Sequence, residues 1–216
     1  MGVAGPGFFI SVEGVDGSGK STQAGRLAER LRRVGELVTL VRDPGTTHLG
    51  EQVRTLLLEH SESTTPQPFA EVALFLAARV QLLREVIEPA LAEGAVVVSD
   101  RYLDSTLVYQ GAGRGLDPAV LLDLHRLAEA DRMPDLTLIL DLAVGSARSR
   151  SDPTLPLDRM EAEPTAYHER VRQGYLALAA KFPERIVVLR ADLPLEELSE
   201  SSWRVTRERL AARRAT

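Results

Sequence analysis

A glycine-rich run that ends in a lysine and a serine lies near the start of the chain. Residues 14–21 read Gly-Val-Asp-Gly-Ser-Gly-Lys-Ser and match the pattern GxxxxGK[ST] in full. Glycines let backbone N–H groups surround phosphate oxygens, the lysine can bridge the β- and γ-phosphates, and the serine hydroxyl can reach Mg²⁺. The residues predicted to bind a nucleoside triphosphate are Gly14, Val15, Asp16, Gly17, Ser18, Gly19, Lys20, Ser21 and Thr22. The alternative is a glycine-rich turn that binds nothing.

Cationic and aromatic side chains further along could receive a phosphorylated acceptor. Phe75 and Arg79 lie four residues apart, so on a helix both can face the same pocket. Thr106 and Gln110 have the same spacing, and a glutamine offers both a donor and an acceptor to a ligand. Taken alone, Phe75 also suits a hydrophobic core.

The elements that must position these residues alternate along the chain. Short apolar, β-branched runs predict buried strands, and segments with apolar residues at helical spacing predict helices between them. The predicted strands are Phe8–Glu13, Leu37–Arg42, Ala95–Ser99, Leu136–Asp141 and Arg185–Leu189. The predicted helices are Gly19–Val34, Phe69–Glu93, Pro118–Arg132, Pro164–Phe182 and Pro194–Arg214. This order predicts an α/β fold of three layers, a five-stranded parallel sheet with helices on both faces.

Length and composition limit the classes of protein. The chain has 216 residues, 44% of them hydrophobic, which suits one domain with a sizeable core. A net charge of -5 offers no general attraction to nucleic acid or to an anionic membrane, so neither is an expected partner. The absence of cysteine excludes disulfides and thiolate chemistry. Neither a leader nor an apolar run of the ~20 residues that span a bilayer is present, and we expect a cytoplasmic protein.

The segment 145–164 interrupts the alternation. It is polar, rich in arginine and aspartate, and contains Pro153, Pro156 and Pro164. We interpret it as a mobile excursion inside a single domain that spans residues 1–216. For its paired arginines, Arg148 and Arg150, a solvated loop is the plain alternative.

Several motifs together resemble the thymidylate kinases, a family of P-loop nucleoside monophosphate kinases. Residues 100–114 are similar to the family signature DRYxxSxxAYQGxGR, and residues 13–22 match its phosphate loop, EGxDGxGKST. The RxPG segment at 42–45, the LFxAxR helix at 74–79 and the PDLT strand at 134–137 extend the resemblance over nearly the whole chain. A P-loop NTPase fold follows from this resemblance. No guanine-reading NKxD segment is present, which argues against a GTPase.

The resemblance implies a reaction, two substrates and a metal. The γ-phosphoryl group of ATP would pass to dTMP, with Mg²⁺ positioned by Ser21 and Asp100, in support of dTTP synthesis. Arg101 would hold the acceptor phosphate, Tyr109 would lie against the sugar and disfavour a ribose 2′-hydroxyl, and Asp16 would contact the 3′-hydroxyl or the metal region. The residues it assigns to the acceptor are Asp43, Arg54, Phe75, Arg79, Arg101, Ser105, Thr106, Tyr109 and Gln110. A strand-end ion pair is the alternative for Asp100 and Arg101, partial burial for Tyr109, and a solvated helix position for Arg54.

Some members of the family carry an arginine inside the phosphate loop, and others place arginines in a lid. This chain has Gly17 in the loop, so the resemblance implies the second arrangement. The residues it assigns to catalysis are Asp16, Lys20, Arg101, Arg148, Arg150 and Arg159. The lid element DRxE occurs at 158–161, after an unusual insert at 153–156, so which arginine reaches the transferred phosphate is open.

The chain departs from the family motif REPGGT, which reads Arg-Asp-Pro-Gly-Thr-Thr at 42–47. The rival hypotheses are a kinase of a deoxynucleoside or of another pyrimidine monophosphate, and an ATP-binding adaptor without fast transfer. An arginine at position 101 favours a monophosphate.

The resemblance also implies a homodimer, in which helices near Val72–Leu83 and Val120–Leu127 could supply the interface or could equally be core.

Overall fold

The computed structural model of the protein describes residues 6–58, 66–150 and 156–215. Within these ranges one sheet has the order β2-β3-β1-β4-β5, and every neighbouring pair of strands is parallel. The strands are β1 (Phe8–Glu13), β2 (Val38–Arg42), β3 (Val96–Asp100), β4 (Leu136–Asp141) and β5 (Ile186–Arg190). The predicted five-stranded parallel sheet is confirmed, and the strands β2, β3 and β5 each begin one residue later than predicted.

Helices surround the sheet. They are α1 (Lys20–Arg33), α2 (His48–Leu58), α3 (Pro68–Leu82), α4 (Glu88–Ala92), α5 (Leu103–Thr106), α6 (Pro118–Leu127), α7 (Val144–Arg150), α8 (Thr165–Lys181) and α9 (Leu195–Arg214). A π-helical turn, Leu83–Ile87, joins α3 to α4, and another, Leu107–Gly113, continues α5. No helix in the described ranges is long and apolar enough to cross a membrane.

The central strands β1 and β3 are buried along their whole length because both of their faces are covered. Side chains of a strand alternate between the two faces. Phe8, Ile10 and Val12 pack in the cluster that includes apolar residues of α1, α8 and α9. Phe9 points the other way and packs in the cluster that includes residues of α3 and the π-helical turn after it. The edge strand β2 is exposed at alternate positions, which leaves the core on the central strands.

Three helical segments were absent from the predicted elements: α2, α5 with its π-helical extension, and α7. The excursion predicted at 145–164 is therefore helical at its start, where Val144 and Ala147 are buried. The helix predicted to run from Pro118 to Arg132 ends at Leu127 instead, because Glu129 adopts a left-handed φ of 52° that a helix cannot continue through. These differences place extra helices around the carboxyl edge of the sheet.

Candidate active site

The ends of β1 and β3 lie side by side at the carboxyl edge of the sheet. Val12 is paired with Asp100, and the backbone N–H of Arg101 donates to Val12 O at 3.1 Å. The phosphate loop, residues 14–21, continues from β1, while Arg101 continues from β3. Open parallel sheets bind ligands at this edge. The topology therefore brings the two predicted groups of residues together where a ligand is expected.

The phosphate loop has the conformation that its glycines allow. Gly14, Gly17 and Gly19 have φ angles of 142°, 77° and 88°, a region that other residues rarely adopt. A Cβ at Gly17 would overlap the carbonyl of Ala147, so the loop packs directly against α7. Helix α1 follows at once, and its N-terminus adds backbone donors and the positive end of its dipole. The loop is built to bind an anion.

Lys20 and Ser21 begin α1 at the mouth of this loop. The ammonium of Lys20 donates to Val15 O at 2.8 Å and lies 3.7 Å from Asp16. Burial lowers the pKa of Lys20 to about 8. The Ser21 hydroxyl donates to the Asp100 carboxylate at 2.5 Å.

Hydroxyl and carboxylate oxygens beside a phosphate site suit Mg²⁺, which prefers oxygen ligands and keeps several waters. The pair formed by Ser21 and Asp100 fits such an ion, since both residues line the cavity over the phosphate loop. No group of three or more acidic, histidine or cysteine residues in the described part of the chain could hold a metal by itself. A metal here would depend on phosphate and water for its remaining ligands.

Arg101 is the centre of the hydrogen-bond network between the strand ends. Its φ of 69° is left-handed, and its guanidinium stacks 4.9 Å from the centre of the Tyr109 ring. The guanidinium donates to Gly14 O (3.1 Å), Ser105 Oγ (3.2 Å), Tyr175 OH (3.4 Å), Tyr109 OH (3.1 Å) and the Asp16 carboxylate. Burial opposes the ionisation of Asp16, but the Arg101 and Lys20 cations hold its pKa well below the usual value. A fixed cation and a fixed anion therefore face each other here.

A carboxylate that sequence reasoning missed lies behind Arg101. Glu13, the last residue of β1, is fully buried and accepts hydrogen bonds from the Tyr102 N–H (2.7 Å), the Ser105 hydroxyl (2.6 Å) and the Tyr175 hydroxyl (3.0 Å). Burial, with the nearby Asp104 carboxylate, raises the pKa of Glu13 to about 7. A charged residue at the end of an apolar strand was the signal that could have found it.

The acceptor cavity, as we call it, lies beside Arg101. All nine residues predicted to bind the acceptor line it: Asp43, Arg54, Phe75, Arg79, Arg101, Ser105, Thr106, Tyr109 and Gln110. Asp43 Oδ1 and Thr106 Oγ1 are buried and have no hydrogen-bond partner among the described residues. Both belong to residues that line the cavity, where a polar ligand could supply the missing hydrogen bond.

Arg79 is held rigidly in the wall of the acceptor cavity. Its Nε donates to Asp43 at 2.6 Å, and its Nη1 lies 2.6 Å from His125 Nε2. Because His125 Nδ1 lies 2.7 Å from Leu121 O, the proton sits on Nδ1 and Nε2 accepts from Arg79. Burial and the arginine lower the pKa of His125 to about 4, which keeps the ring neutral. His125 was also missed, since its sequence position gives no sign of this contact.

A second space, the donor cavity, opens over the phosphate loop. Lys20, Ser21, Thr22 and Asp100 line it, as does Arg150 from α7. It shares the residues Asp16, Arg54, Arg101 and Asp158 with the acceptor cavity. A groove runs on from the loop toward Leu195 and Leu198 of α9. Two ligands bound in these cavities would meet at Arg101 and Asp16.

The three arginines predicted for the lid lie in different places. Arg150 lines the donor cavity and donates to Ala191 O at 2.8 Å. Arg148 is exposed and donates to Thr165 Oγ1 at 2.8 Å. Arg159 is buried away from the loop, where it donates to Leu57 O at 2.8 Å and to Glu71 at 2.5 Å. Only Arg150 of the three is brought to the donor cavity, and residues 153–155 of the insert lie outside the described residues.

A parallel sheet with a phosphate loop, a magnesium-suited oxygen pair and two connected cavities define a P-loop phosphotransferase. The family model for thymidylate kinase matches residues 12–201. The chain belongs to the thymidylate kinase family, and it is a kinase.

Relatives span nearly the whole chain. It is 45% identical over 205 residues to the thymidylate kinase of Syntrophotalea carbinolica, covering 92% of this chain and 94% of that one. It is 49% identical over 197 residues to the thymidylate kinase of Cereibacter sphaeroides, covering 89% and 90%. The crystal structure of thymidylate kinase from Ehrlichia chaffeensis is similar with a TM-score of 0.75 and 32% identity, covering 93% of this chain and 99% of that one. Phosphorylation of dTMP to dTDP is the reaction of this family.

Proposed function

We propose that the chain performs this reaction with MgATP in the donor cavity and dTMP in the acceptor cavity. The observation that carries the proposal is the pair of cavities joined at Arg101 and Asp16, one over a phosphate loop and the other between Phe75 and Arg79. A kinase must bring two phosphates within bonding distance, whereas an adaptor needs only the first cavity. Arg101 at the junction favours an acceptor that already carries a phosphate.

The transfer needs alignment and charge neutralisation rather than a protein nucleophile. An anionic oxygen of the dTMP phosphate attacks the γ-phosphorus in line, the bond from that phosphorus to the β–γ bridging oxygen breaks, and ADP leaves. Lys20 and the loop N–H groups bind the donor phosphates, and Arg101 holds the attacking phosphate. Mg²⁺ held near Ser21 and Asp100 would neutralise the β- and γ-phosphate oxygens.

The acceptor cavity suits a deoxypyrimidine nucleotide. Phe75 supplies a ring for the base to stack on, and Arg79 supplies N–H donors for a ring carbonyl. Tyr109 lies beside Arg101, so the sugar next to the phosphate would contact its ring. Asp16 would accept a hydrogen bond from a sugar hydroxyl once Arg101 turns to the phosphate. These roles are part of the proposal.

The segment 145–164 would act as the lid of a single domain, with Arg150 as its contribution to the donor phosphates. Closure would exclude water and so suppress ATP hydrolysis. A cytoplasmic homodimer is also part of the proposal. Exposed apolar side chains on α3 and α6, such as Phe69, Val120 and Leu127, support an interface there.

The test is ADP formation from MgATP with dTMP, dUMP, UMP, CMP and thymidine offered separately. Strong stimulation by dTMP, no stimulation by thymidine, and loss of the signal in Lys20→Ala are the expected results. Equal ADP formation without any acceptor would leave an ATPase in place of a kinase. Preference for another acceptor would keep the phosphate loop assignment and overturn the acceptor assignment.

A further inference from the structure

Glu71 is a fully buried carboxylate in the wall behind the acceptor cavity. It accepts from Gln110 Nε2 at 2.8 Å, from Arg114 Nε at 2.8 Å and Nη2 at 3.1 Å, and from Arg159 Nη2 at 2.5 Å. Burial alone would raise the pKa of Glu71, but the hydrogen bonds and charges of its partners hold it below the usual value. The carboxylate is therefore ionised, and it is paired with two guanidinium groups.

An ionised carboxylate accepts hydrogen bonds and cannot donate them. The atom of the Gln110 amide that faces Glu71 must then be the nitrogen. The reversed amide would hold two oxygens together in a buried site, which costs the full desolvation of both. Gln110 is buried in the cavity wall, so its carbonyl oxygen is the group left for a ligand.

Arg79 fixes the opposite polarity in the same cavity. A guanidinium only donates, and Asp43 and His125 hold this one in place at 2.6 Å each. The cavity thus offers a fixed donor at Arg79 and a fixed acceptor at Gln110. A pyrimidine with a ring carbonyl next to a ring N–H complements both groups. A 4-aminopyrimidine, with an amino group next to a bare ring nitrogen, opposes both.

We propose that Glu71 is a positioning residue for base selectivity, which acts by orienting the Gln110 amide so that the cavity selects 2,4-dioxopyrimidine nucleotides over 4-aminopyrimidine nucleotides. Glu71 does not line the cavity and touches no ligand itself. Arg114 and Arg159 serve this role by keeping the carboxylate charged. This inference rests on the proposed function, because it assumes that the base of the acceptor lies between Arg79 and Gln110.

The test compares kcat/KM for dTMP and dCMP in wild type and in Glu71→Gln. The variant side chain has nearly the same shape, but its uncharged amide can either donate to Gln110 or accept from it. The side-chain amide of Gln110 can then adopt either of its two orientations. The selectivity ratio of dTMP over dCMP is expected to fall about 10-fold, the scale of one mismatched buried polar group. The change is expected in KM for the two acceptors, with KM for ATP unchanged.

Glu163→Gln is the matched control. Glu163 pairs with Arg114 at 2.9 Å, in the same ionic network, but has no contact with Gln110. Its selectivity ratio is expected to stay within about 2-fold of wild type, because exposed or partly exposed pairs contribute little. Equal ratios in wild type and Glu71→Gln, with both acceptors impaired to the same degree, would make Glu71 merely structural and overturn the inference.

Gln110→Met keeps every ion pair of Glu71 and is the variant to use if Glu71→Gln does not fold. It removes the amide, so kcat/KM for dTMP is expected to fall more than kcat/KM for dCMP. An unchanged ratio in this variant would overturn the inference. Failure of the wild type to phosphorylate dTMP would instead sink the proposed function and the inference with it. If wild type phosphorylates dTMP and the selectivity ratio of dTMP over dCMP is unchanged in the variants, only the inference about Glu71 is overturned.

Discussion

At the scale of single residues, the conformation of Arg101 depends on a carboxylate that lines neither cavity. Glu13 accepts from the backbone N–H of Tyr102, the next residue, and from the hydroxyls of Ser105 and Tyr175. Both hydroxyls also contact the Arg101 guanidinium. Glu13 therefore fixes the backbone and the side chain of Arg101 together. This explains how a non-glycine residue is held at a φ of 69° beside the site.

Glu13 should make stability depend on pH in an unusual direction. Burial raises its pKa to about 7 in the folded protein, while the unfolded chain keeps the ordinary value of 4.5. The folded state binds this proton more tightly than the unfolded chain does. The stability that the protonated Glu13 contributes is therefore complete below pH ~4.5 and is lost as the pH rises through ~7. Relative to Glu13→Gln, the free energy of unfolding of wild type should fall by roughly 3 kcal/mol across that window. Urea unfolding at several pH values measures this. Parallel profiles for the two proteins would contradict it.

The sequence could predict residues whose spacing carries a motif, and it could not predict their buried partners. Phosphate loops have a fixed local conformation, so Lys20 and Ser21 could be placed without knowledge of the fold. Glu13, Glu71 and His125 form hydrogen bonds to groups 39 or more residues away in the sequence. A buried charge looks like a surface charge in a sequence until its partners are known. The structure supplies those partners.

At the scale of elements, α7 carries two arginines that lie in different environments, one at the donor cavity and one at the surface. Arg150 lines the donor cavity, whereas Arg148 turns to Thr165 at the surface. We expect Arg150→Ala to lower kcat about 10²-fold, the usual cost of one group that stabilises transition-state charge. Arg148→Ala, the control from the same helix, should change kcat less than about 3-fold, because its contact is exposed. Steady-state kinetics with saturating dTMP and MgATP measures both.

Arg159→Ala should lower stability rather than kcat, in contrast to Arg150→Ala. Its removal leaves Glu71 with one guanidinium fewer in a buried site, so Arg159→Ala should lower the free energy of unfolding by about 3 kcal/mol. The remaining folded enzyme should bind ATP with nearly the wild-type KM. If Arg159→Ala instead lowered kcat as much as Arg150→Ala at unchanged stability, the segment 156–164 would have to approach the phosphate loop during turnover.

The missed helices have different physical reasons. The α7 segment is only seven residues long, so it is too short to show an apolar periodicity. The α2 segment carries its buried residues Gly50, Val53 and Leu57 at helical spacing, a pattern that the sequence analysis overlooked. The π-helical turn at 107–113 shifts the hydrophobic pattern by one residue, which breaks the helical spacing that sequence reasoning depends on. The π-helical turn at 83–87 lies inside the helix predicted over 69–93. Strands β1 and β4 were predicted with their observed bounds because continuous apolar runs between polar flanks leave little choice.

At the scale of the whole molecule, strand order decides where the chemistry lies. The alternation of strands and helices predicts a parallel sheet, but it does not say which strands are neighbours. In the observed order β1 sits between β3 and β4, so the phosphate loop lies next to Arg101. The acceptor cavity then forms between that edge and the helices α2 and α3. The donor cavity and the acceptor cavity are therefore lined largely by different elements.

Because two cavities are present, the two ligands should stabilise the folded protein separately. A ligand at 100 times its Kd adds about 2.7 kcal/mol to the free energy of unfolding. For a chain of 216 residues, this corresponds to a rise in Tm of roughly 5–10 °C. We expect dTMP alone and MgADP alone each to give such a rise, and both together to give a larger one. Lys20→Ala should lose most of the MgADP shift, since it removes a phosphate contact, and should keep the dTMP shift. Thermal unfolding followed by circular dichroism measures all four conditions in each protein.

If dTMP and MgADP together gave no more than either alone, they would compete for one site, and transfer between two bound ligands would be impossible. A combined shift above the sum would mean that binding of one ligand improves binding of the other, as expected if both turn the shared Arg101 and Asp16 pair toward the phosphates.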